Sequence, residues 1–259
     1  MEGGPDRSGA AMHPAINEQQ LVSAVIPAYN EGRTIADVIA VLKRHPLIGE
    51  VIVVSDGSTD DTVARAITAG ARVIAESANH GKAAAIERGV QAAVRDHILL
   101  VDADILGLTI SMITQVITPV LSGEFAMFVA LRGRSTYWLN RLLRFTPIIG
   151  GERALTRSLW NHVPSRYKRK FQIEIALNFF VKRHGGRMGF AVMPGLTQVI
   201  KERKRGLWLG LYQRLSMCTD IFIIAFRLYV IFNLFSLLAR LRPSQAASPP
   251  VPAVDRGQQ

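Results

Sequence analysis

The sequence has very little cysteine and lacks a hydrophobic leader, and both features are informative. Cys218 is the one cysteine among 259 residues, so the chain cannot form an internal disulfide. The first twenty residues contain no apolar stretch of the kind that marks a secretory signal. We therefore expect a cytoplasmic protein, in which residues 1–20 are a disordered leader and the Pro-, Ala- and Ser-rich residues 243–259 are a disordered tail.

Acidic residues are scarce in the second half of the chain. Residues 132–259 carry 22 Lys and Arg against 5 Asp and Glu, a balance of +17, whereas residues 1–131 carry 9 against 15, a balance of −6. A basic half suits phosphate-bearing ligands or an anionic membrane face, although a solvated basic surface is an alternative. Nucleic acid is not expected as a partner, because the basic residues lie among long apolar runs.

The apolar pattern of residues 21–131 predicts an α/β fold with a mostly parallel sheet flanked by helices. Short β-branched runs alternate there with helical periodicity. The predicted strands are Leu21–Pro27, Glu50–Ser55, Arg72–Ala75, His97–Val101 and Glu124–Leu131, and the predicted helices are Thr34–Arg44, Asp61–Ala69, Lys82–Val94 and Thr109–Leu121. Ligands of open α/β sheets bind beyond the carboxyl ends of the strands, so functional residues are expected there.

Carboxylates follow these strands, above all Asp102 and Asp104. Two carboxylates at positions i and i+2 of a strand end can both reach a hard cation when a turn begins there. Mg²⁺ and Mn²⁺ accept a few such oxygens and complete their coordination with substrate phosphates. Asp56 follows the second strand and Lys82 follows the third, and both could bind a nucleotide. The alternative is that Asp56 caps a turn and Lys82 lies in solvent.

Four segments taken together resemble glycosyltransferase family 2. They are VIPAYNEGRTI (25–35), VIVVSDGSTDDT (51–62), NHGKAAAIERG (79–89) and ILLVDAD (98–104). The resemblance implies a GT-A fold and an enzyme, a hexosyltransferase, that uses a nucleotide-diphosphate sugar with Mg²⁺ or Mn²⁺. We expect residues 21–206 to be the catalytic domain, with the nucleotide sugar and the metal bound by 21–131 and the acceptor by 132–206.

The same resemblance implies roles for individual residues. Pro27, Tyr29 and Glu31 would line the nucleotide pocket, and Asp56 would hydrogen-bond the base. Lys82 would lie near the base and the phosphates. Asp102 would lie near the ribose and the metal, and Asp104 would be a direct metal ligand with a part in catalysis.

The second half contains candidate acceptor residues around two glycine-containing segments. Arg132 and Arg134 flank Gly133, and Gly151 and Glu152 lie in a second segment. Arginines recognise phosphate through two parallel hydrogen bonds, and glycines let the backbone approach a ligand. These residues predict an acceptor that carries phosphate. The alternative is that the arginines form surface ion pairs.

Glu174 is the one acid between Glu152 and Glu202, and it begins a largely apolar helix in which Asn178 shares its face. The family resemblance places an acidic residue here beside the acceptor, as a base or as an orienting group. The alternative is an ion pair with Lys168, Arg169 or Lys170. His184 ends this helix and is a weaker candidate metal ligand, in competition with His162.

The sequence lacks the Gln-x-x-Arg-Trp pentapeptide that processive members of the family carry, so we expect transfer of a single sugar.

Residues 207–242 are apolar and predict membrane-associated C-terminal helices, although Arg227 disfavours a simple span. Flanking basic residues fit helices at the inner face of the cell membrane, whether peripheral or anchored. The alternatives are a homodimer interface and a cover for the catalytic domain.

The acceptor stays open between two resemblances. A phosphate for the arginines and a lipid tail for the apolar segment together indicate a polyprenyl phosphate, as in the polyprenyl-phosphate and dolichyl-phosphate sugar synthases. The segments around Arg134, Glu152 and Glu174 also resemble glucosyl-3-phosphoglycerate synthases, which are soluble and use a small phosphorylated acceptor. A non-catalytic nucleotide-sugar-binding protein is a further alternative. A nucleotidyltransferase would need a glycine-rich loop after the first strand, where this chain has Pro27-Ala28-Tyr29-Asn30.

Overall fold

A central sheet of seven strands organises the chain. The structure is a computed structural model and describes residues 21–132, 150–168 and 172–198, together with Leu228 and Val230. Its strands are β1 (Val22–Ala28), β2 (Ile48–Asp56), β3 (Arg72–Glu76), β4 (His97–Leu100), β5 (Ile105–Leu106), β6 (Met127–Arg132), β7 (Arg153–Thr156), β8 (Met188–Met193) and β9 (Thr197–Gln198). Its helices are α1 (Ile35–Lys43), α2 (Thr62–Thr68), α3 (Lys82–Ala92), α4 (Ile110–Leu121), α5 (Arg157–His162) and α6 (Gln172–Arg183), with a 3-10 turn at Ser165–Tyr167.

The sheet order is β3-β2-β1-β4-β7-β6-β8, and β5 and β9 form a separate antiparallel pair. Within the seven-stranded sheet β7 runs antiparallel to both neighbours, and the other pairs are parallel. Because β7 is reversed, its first residue lies at the edge where β4 and β6 end. Leu100 of β4 pairs with Arg153 of β7, which brings the segment before β7 to the carboxyl ends of the parallel strands.

Two apolar layers cover the two faces of the sheet. Every residue of β1 is buried, as expected for a central parallel strand with helices on both sides. Ile26 packs in one layer with Ile39 of α1 and Ile117 of α4. Val25 faces the opposite layer, which contains Ile86 of α3 and residues of α5 and α6. The strands are thereby anchored on both faces, and the loops that follow them lie beyond the two apolar layers.

The strands and helices predicted for residues 21–131 all form, with ends that differ by a few residues. The prediction of an α/β fold of the GT-A type with a mostly parallel sheet is confirmed for the described residues. Strands β5, β7, β8 and β9 were not predicted. The proposed division of 21–206 into donor and acceptor parts stays a prediction.

The predicted membrane-associated segment 207–242 lies outside the described residues except for two positions. Leu228 is fully buried in the apolar layer that contains α3 and α6, and Val230 is exposed. This packing of Leu228 fits the alternative in which the segment covers the catalytic domain. None of the described helices combines the length and the apolar character that crossing a membrane requires.

Candidate active site

The loops after β1 and β2 interlock through side chain to backbone hydrogen bonds. Asn30 adopts a positive φ of 55°, and its Oδ1 accepts a hydrogen bond of 2.8 Å from the backbone N–H of Thr59. Thr62 Oγ1 in turn accepts from the N–H of Glu31 at 2.8 Å. Pro27 is buried within β1, opposite Val54, whereas the side chain of Tyr29 is 46% exposed beside these loops. The predicted places of Pro27, Tyr29 and Glu31 in a nucleotide pocket stay predictions.

Asp56 fixes the loop that precedes Lys82. Its Oδ1 and Oδ2 accept hydrogen bonds of 2.7 Å from the backbone N–H groups of His80 and Gly81, and the carboxylate is buried. Gly57 has a φ of 72°, and an added Cβ would lie 2.7 Å from the backbone carbon of Ala78. A charged acceptor and a glycine thus hold this loop against β2. The predicted contact between Asp56 and a base stays a prediction.

Asp102 lies between two cations. Its Oδ1 is 2.6 Å from Nζ of Lys82, and its Oδ2 is 2.6 Å from Nη2 of Arg132. Burial alone would raise the pKa of Asp102, but the charges and hydrogen bonds of Lys82 and Arg132 outweigh it and hold this pKa below its usual range. The pKa of Lys82 is raised, because the nearby carboxylates of Asp102, Glu174 and Glu152 outweigh its burial. Both groups are therefore charged at neutral pH.

Arg132 joins Asp102 to Glu152. Its Nε donates to Oε2 of Glu152 at 2.9 Å, and its Nη2 donates to Oε1 of the same carboxylate, so the pairing is bidentate. Burial and the neighbouring Asp102 raise the pKa of Glu152 despite this contact. The arginine predicted to bind acceptor phosphate is thus held by two acids. The other predicted arginine, Arg134, lies outside the described residues.

Gln198 contacts Asp104, and no pattern in the sequence identified it. Its Nε2 lies 2.8 Å from each carboxylate oxygen of Asp104, and its Oε1 accepts from Nη1 of Arg132. Strand β9 places Gln198 here by pairing with β5, where Gln198 is opposite Ile105. Thr34 Oγ1 donates to the backbone oxygen of Ala103 at 2.7 Å and fixes the turn between the two aspartates.

Glu174 lies in the first turn of α6, and its cation partner is Arg153. The side chain of Arg153 is 1% exposed, its Nη2 lies 3.7 Å from Oε2 of Glu174, and its guanidinium donates to the backbone oxygen of Gly150. Burial lowers the pKa of Arg153, and the nearby carboxylate of Glu174 partly offsets this. The alternative in which Glu174 pairs with Lys168 is wrong, because Lys168 contacts Glu87 at 3.1 Å. Arg169 and Lys170 lie outside the described residues.

His184 is placed at the opposite end of α6 from Glu174. Its ring lies 4.2 Å from that of His162, centroid to centroid, and these two candidate ligands contact each other instead of Asp102 or Asp104. Among the described residues, no three His, Cys, Asp or Glu side chains are grouped closely enough to hold a metal ion. The metal site predicted at Asp102 and Asp104 stays a prediction. Carboxylate oxygens of this kind suit Mg²⁺ or Mn²⁺ when substrate phosphates complete the shell.

Gly151 is required for the contact between Asp102 and Arg132. A Cβ at this position would lie 2.3 Å from Oδ2 of Asp102 and 3.0 Å from Nη2 of Arg132. We expect Gly151→Ala to separate this pair and to lower the free energy of unfolding by about 1–3 kcal/mol, as overpacked sites usually do. Urea unfolding measures the effect. Gly49→Ala is the matched control, since the atoms nearest to its Cβ would belong to the side chains of Leu21 and Arg95, at 3.2 Å or more. Equal stability of the two variants would contradict the prediction.

Comparison with known proteins identifies the family. Residues 23–181 match the model of glycosyl transferase family 2, which is more than half of the chain. The chain therefore belongs to glycosyl transferase family 2. The matched region contains Lys82, Asp102, Asp104, Glu152 and Glu174.

The curated relatives include glucosyl-3-phosphoglycerate synthases of mycobacteria. The protein of Mycobacterium tuberculosis H37Rv is 35% identical over 125 residues, which cover 46% of this chain and 35% of the relative. The protein of Mycolicibacterium smegmatis is 35% identical over 123 residues, covering 45% of this chain and 37% of the relative. The match thus spans little more than a third of the length of these relatives.

Solved structures of the Mycobacterium tuberculosis synthase share the fold over a larger part of the chain. The complex with Mn²⁺, UDP-glucose and phosphoglyceric acid is 25% identical, with a TM-score of 0.66, and covers 80% of this chain and 78% of that one. The complex with Mn²⁺, UDP-glucose and glycerol 3-phosphate is 27% identical, with a TM-score of 0.62, and covers 78% and 79%.

Proposed function

We propose that this protein transfers one sugar from a nucleotide-diphosphate sugar to a small phosphorylated acceptor in a reaction that depends on Mg²⁺ or Mn²⁺. The observation that carries the proposal is the convergence of Lys82, Asp102, Asp104, Arg132 and Glu152 at one edge of the sheet. The relatives that bind UDP-glucose, Mn²⁺ and phosphoglycerate support the same reaction class.

The relatives favour the small acceptor over polyprenyl phosphate, which the sequence alone favoured. Their structures hold phosphoglyceric acid and glycerol 3-phosphate. Packing of Leu228 into the apolar layer of the catalytic domain also supports a role for residues 207–242 other than binding a lipid tail. Membrane association, a cytoplasmic location and a homodimer stay predictions.

The donor would lie against Lys82 and the two aspartates. Asp102 and Asp104 would hold the metal ion, which supplies positive charge to the departing diphosphate. Nζ of Lys82 contacts Asp102 at 2.6 Å, so a phosphate bound beside Asp102 would meet the ammonium of Lys82. In the transfer, the bond between the anomeric carbon and the diphosphate oxygen breaks, and a bond between that carbon and an acceptor oxygen forms.

The acceptor would lie against Arg132 and Glu174. Arg132 presents a planar guanidinium at the end of β6, where an acceptor phosphate could replace one of its two carboxylate partners. Glu174 is held by Arg153, and its Oε2 has no hydrogen-bond donor among the residues that the structure describes. In this role Glu174 would orient the acceptor hydroxyl or accept its proton.

Purified protein incubated with Mn²⁺, a panel of nucleotide sugars and one of three acceptors tests the proposal. The acceptors are 3-phosphoglycerate, glycerol 3-phosphate and a polyprenyl phosphate. We expect transfer to a small acceptor and its loss when EDTA removes the metal. Transfer to polyprenyl phosphate alone would assign the lipid reaction instead, and nucleotide-sugar binding without transfer to any acceptor would favour the non-catalytic alternative.

A further inference from the structure

Gln198 bridges the two halves of the candidate site. Its amide N–H group donates to both oxygens of Asp104 at 2.8 Å, and its amide oxygen accepts from Arg132. These partners also fix the orientation of the amide, because Arg132 can only donate and an ionised Asp104 can only accept. One neutral side chain therefore contacts the proposed metal carboxylate and the proposed acceptor arginine.

The position of Gln198 is set by the backbone. Gln198 and Thr197 of β9 pair with Ile105 and Leu106 of β5, the strand that directly follows Asp104. Gly107 has a φ of 78°, and a Cβ there would lie 2.3 Å from the backbone oxygen of Gly195, so the turns beside the two strands are in close contact. The distance between Gln198 and Asp104 is thus fixed by strand pairing.

This geometry leaves the carboxylate of Asp104 able to bind a cation. A carboxylate has about four lone-pair positions, and the Nε2 group of Gln198 occupies one on each oxygen. Asp102 differs, because each of its oxygens contacts a full positive charge. A neutral donor orients Asp104 without competing electrostatically with a divalent ion. Hydrogen-bonded partners of this kind commonly set the orientation of a metal-binding carboxylate.

We infer that Gln198 is a positioning residue that orients Asp104 for the divalent ion and, through its amide oxygen, holds Arg132 toward the acceptor. The inference rests on the proposed function, since it takes Asp104 as a metal ligand and Arg132 as an acceptor residue. Gln198 is exposed, so its replacement leaves the apolar core intact.

Two substitutions separate its two contacts. Gln198→Met keeps the length of the side chain and removes both polar contacts. We expect it to raise the dissociation constant of Mn²⁺, measured in the presence of UDP by the electron paramagnetic resonance of free Mn²⁺, about 10-fold or more. It should also raise KM for 3-phosphoglycerate. Gln198→Glu adds a carboxylate beside Asp104, so this variant should bind Mn²⁺ more tightly than the wild type. The carboxylate can still accept a hydrogen bond from Arg132, so KM for 3-phosphoglycerate should stay near the wild-type value.

Opposite changes in Mn²⁺ affinity distinguish positioning from a general structural role, because a disturbed fold would weaken binding in both variants. Thr197→Ala, which alters the exposed neighbour on β9, is the matched control and should leave both measurements unchanged. If both Gln198 variants bind Mn²⁺ as the wild type does, the inference is wrong and the proposed function stands. If the wild type binds no Mn²⁺ in the presence of any nucleoside diphosphate from the donor panel, the proposed function fails and the inference with it.

Discussion

Replacement of Asp104 by Asn should lower the rate of sugar transfer about 10³-fold or more, which corresponds to about 4 kcal/mol of activation free energy. The substitution preserves shape and removes the charge that a divalent ion requires. Asp104 contacts the neutral amide of Gln198 at 2.8 Å, so no buried cation loses its partner and the fold should be retained. Initial rates with saturating nucleotide sugar and Mn²⁺ measure the effect.

A matched variant and a binding measurement complete this test. Asp37→Asn removes an exposed carboxylate from the first turn of α1 and should leave the rate unchanged. Titration of Mn²⁺ with UDP should show weaker binding to Asp104→Asn than to Asp37→Asn, whatever the acceptor turns out to be. A variant that keeps wild-type turnover would remove Asp104 from the metal site and would leave Asp102 as the candidate ligand.

The first half of the fold could be predicted from the sequence because its signals are local. Residues 22–28 form a short apolar run, and such a run is stable when helices bury both faces of a parallel strand. The carboxyl ends of parallel strands meet at one edge, so residues that follow different strands come together. Lys82 and Asp102 follow different strands and therefore meet at this edge, where their charged groups are 2.6 Å apart.

The acceptor side could not be predicted in this way, because its contacts join segments that are distant in the sequence. The short strand β7 inserts antiparallel between β4 and β6, and nothing in its four residues specifies either the direction or the neighbours. Gln198 is 94 residues from Asp104, and a lone glutamine beside a threonine carries no chemical signature. The buried partner of Glu174 was missed for the same reason, since Arg153 reaches it from the start of β7.

Asp56 shows a different limit of sequence reasoning. A carboxylate after a strand could face a ligand or satisfy backbone groups, and the residue type is the same in both cases. In the structure it accepts hydrogen bonds of 2.7 Å from two backbone N–H groups of the loop before Lys82. Such donors belong to the backbone, so the identity of the neighbouring residues does not reveal them.

Replacement of Arg132 by Met should destabilise the protein by about 3 kcal/mol, because it leaves a buried acid without its cation. Glu152 is the acid left without its cation, whereas Asp102 still has Lys82 as a partner. Urea unfolding at pH 7 measures the loss as a lower midpoint with an unchanged slope. Arg187→Met is the control. It removes an exposed ion pair with Glu124, at 3.5 Å, and should cost less than about 1 kcal/mol.

The double variant Arg132→Met, Glu152→Gln tests the cause of this loss. A neutral amide in place of Glu152 removes the unpaired charge, so the double variant should be more stable than Arg132→Met alone. A double variant no more stable than the single one would show that Arg132 stabilises the fold through packing and not through Glu152.

The loss of stability in Arg132→Met should also depend on pH, and Glu152 sets the direction of that dependence. Burial and Asp102 already raise the pKa of this carboxyl above its ordinary value, and removal of Arg132 raises it further. A group whose pKa is higher in the folded state favours folding at low pH, and that contribution disappears as the pH rises through the folded-state pKa. The difference in free energy of unfolding between wild type and Arg132→Met should therefore be smaller at pH 5 than at pH 8. A difference that grows on acidification would assign the loss to another group.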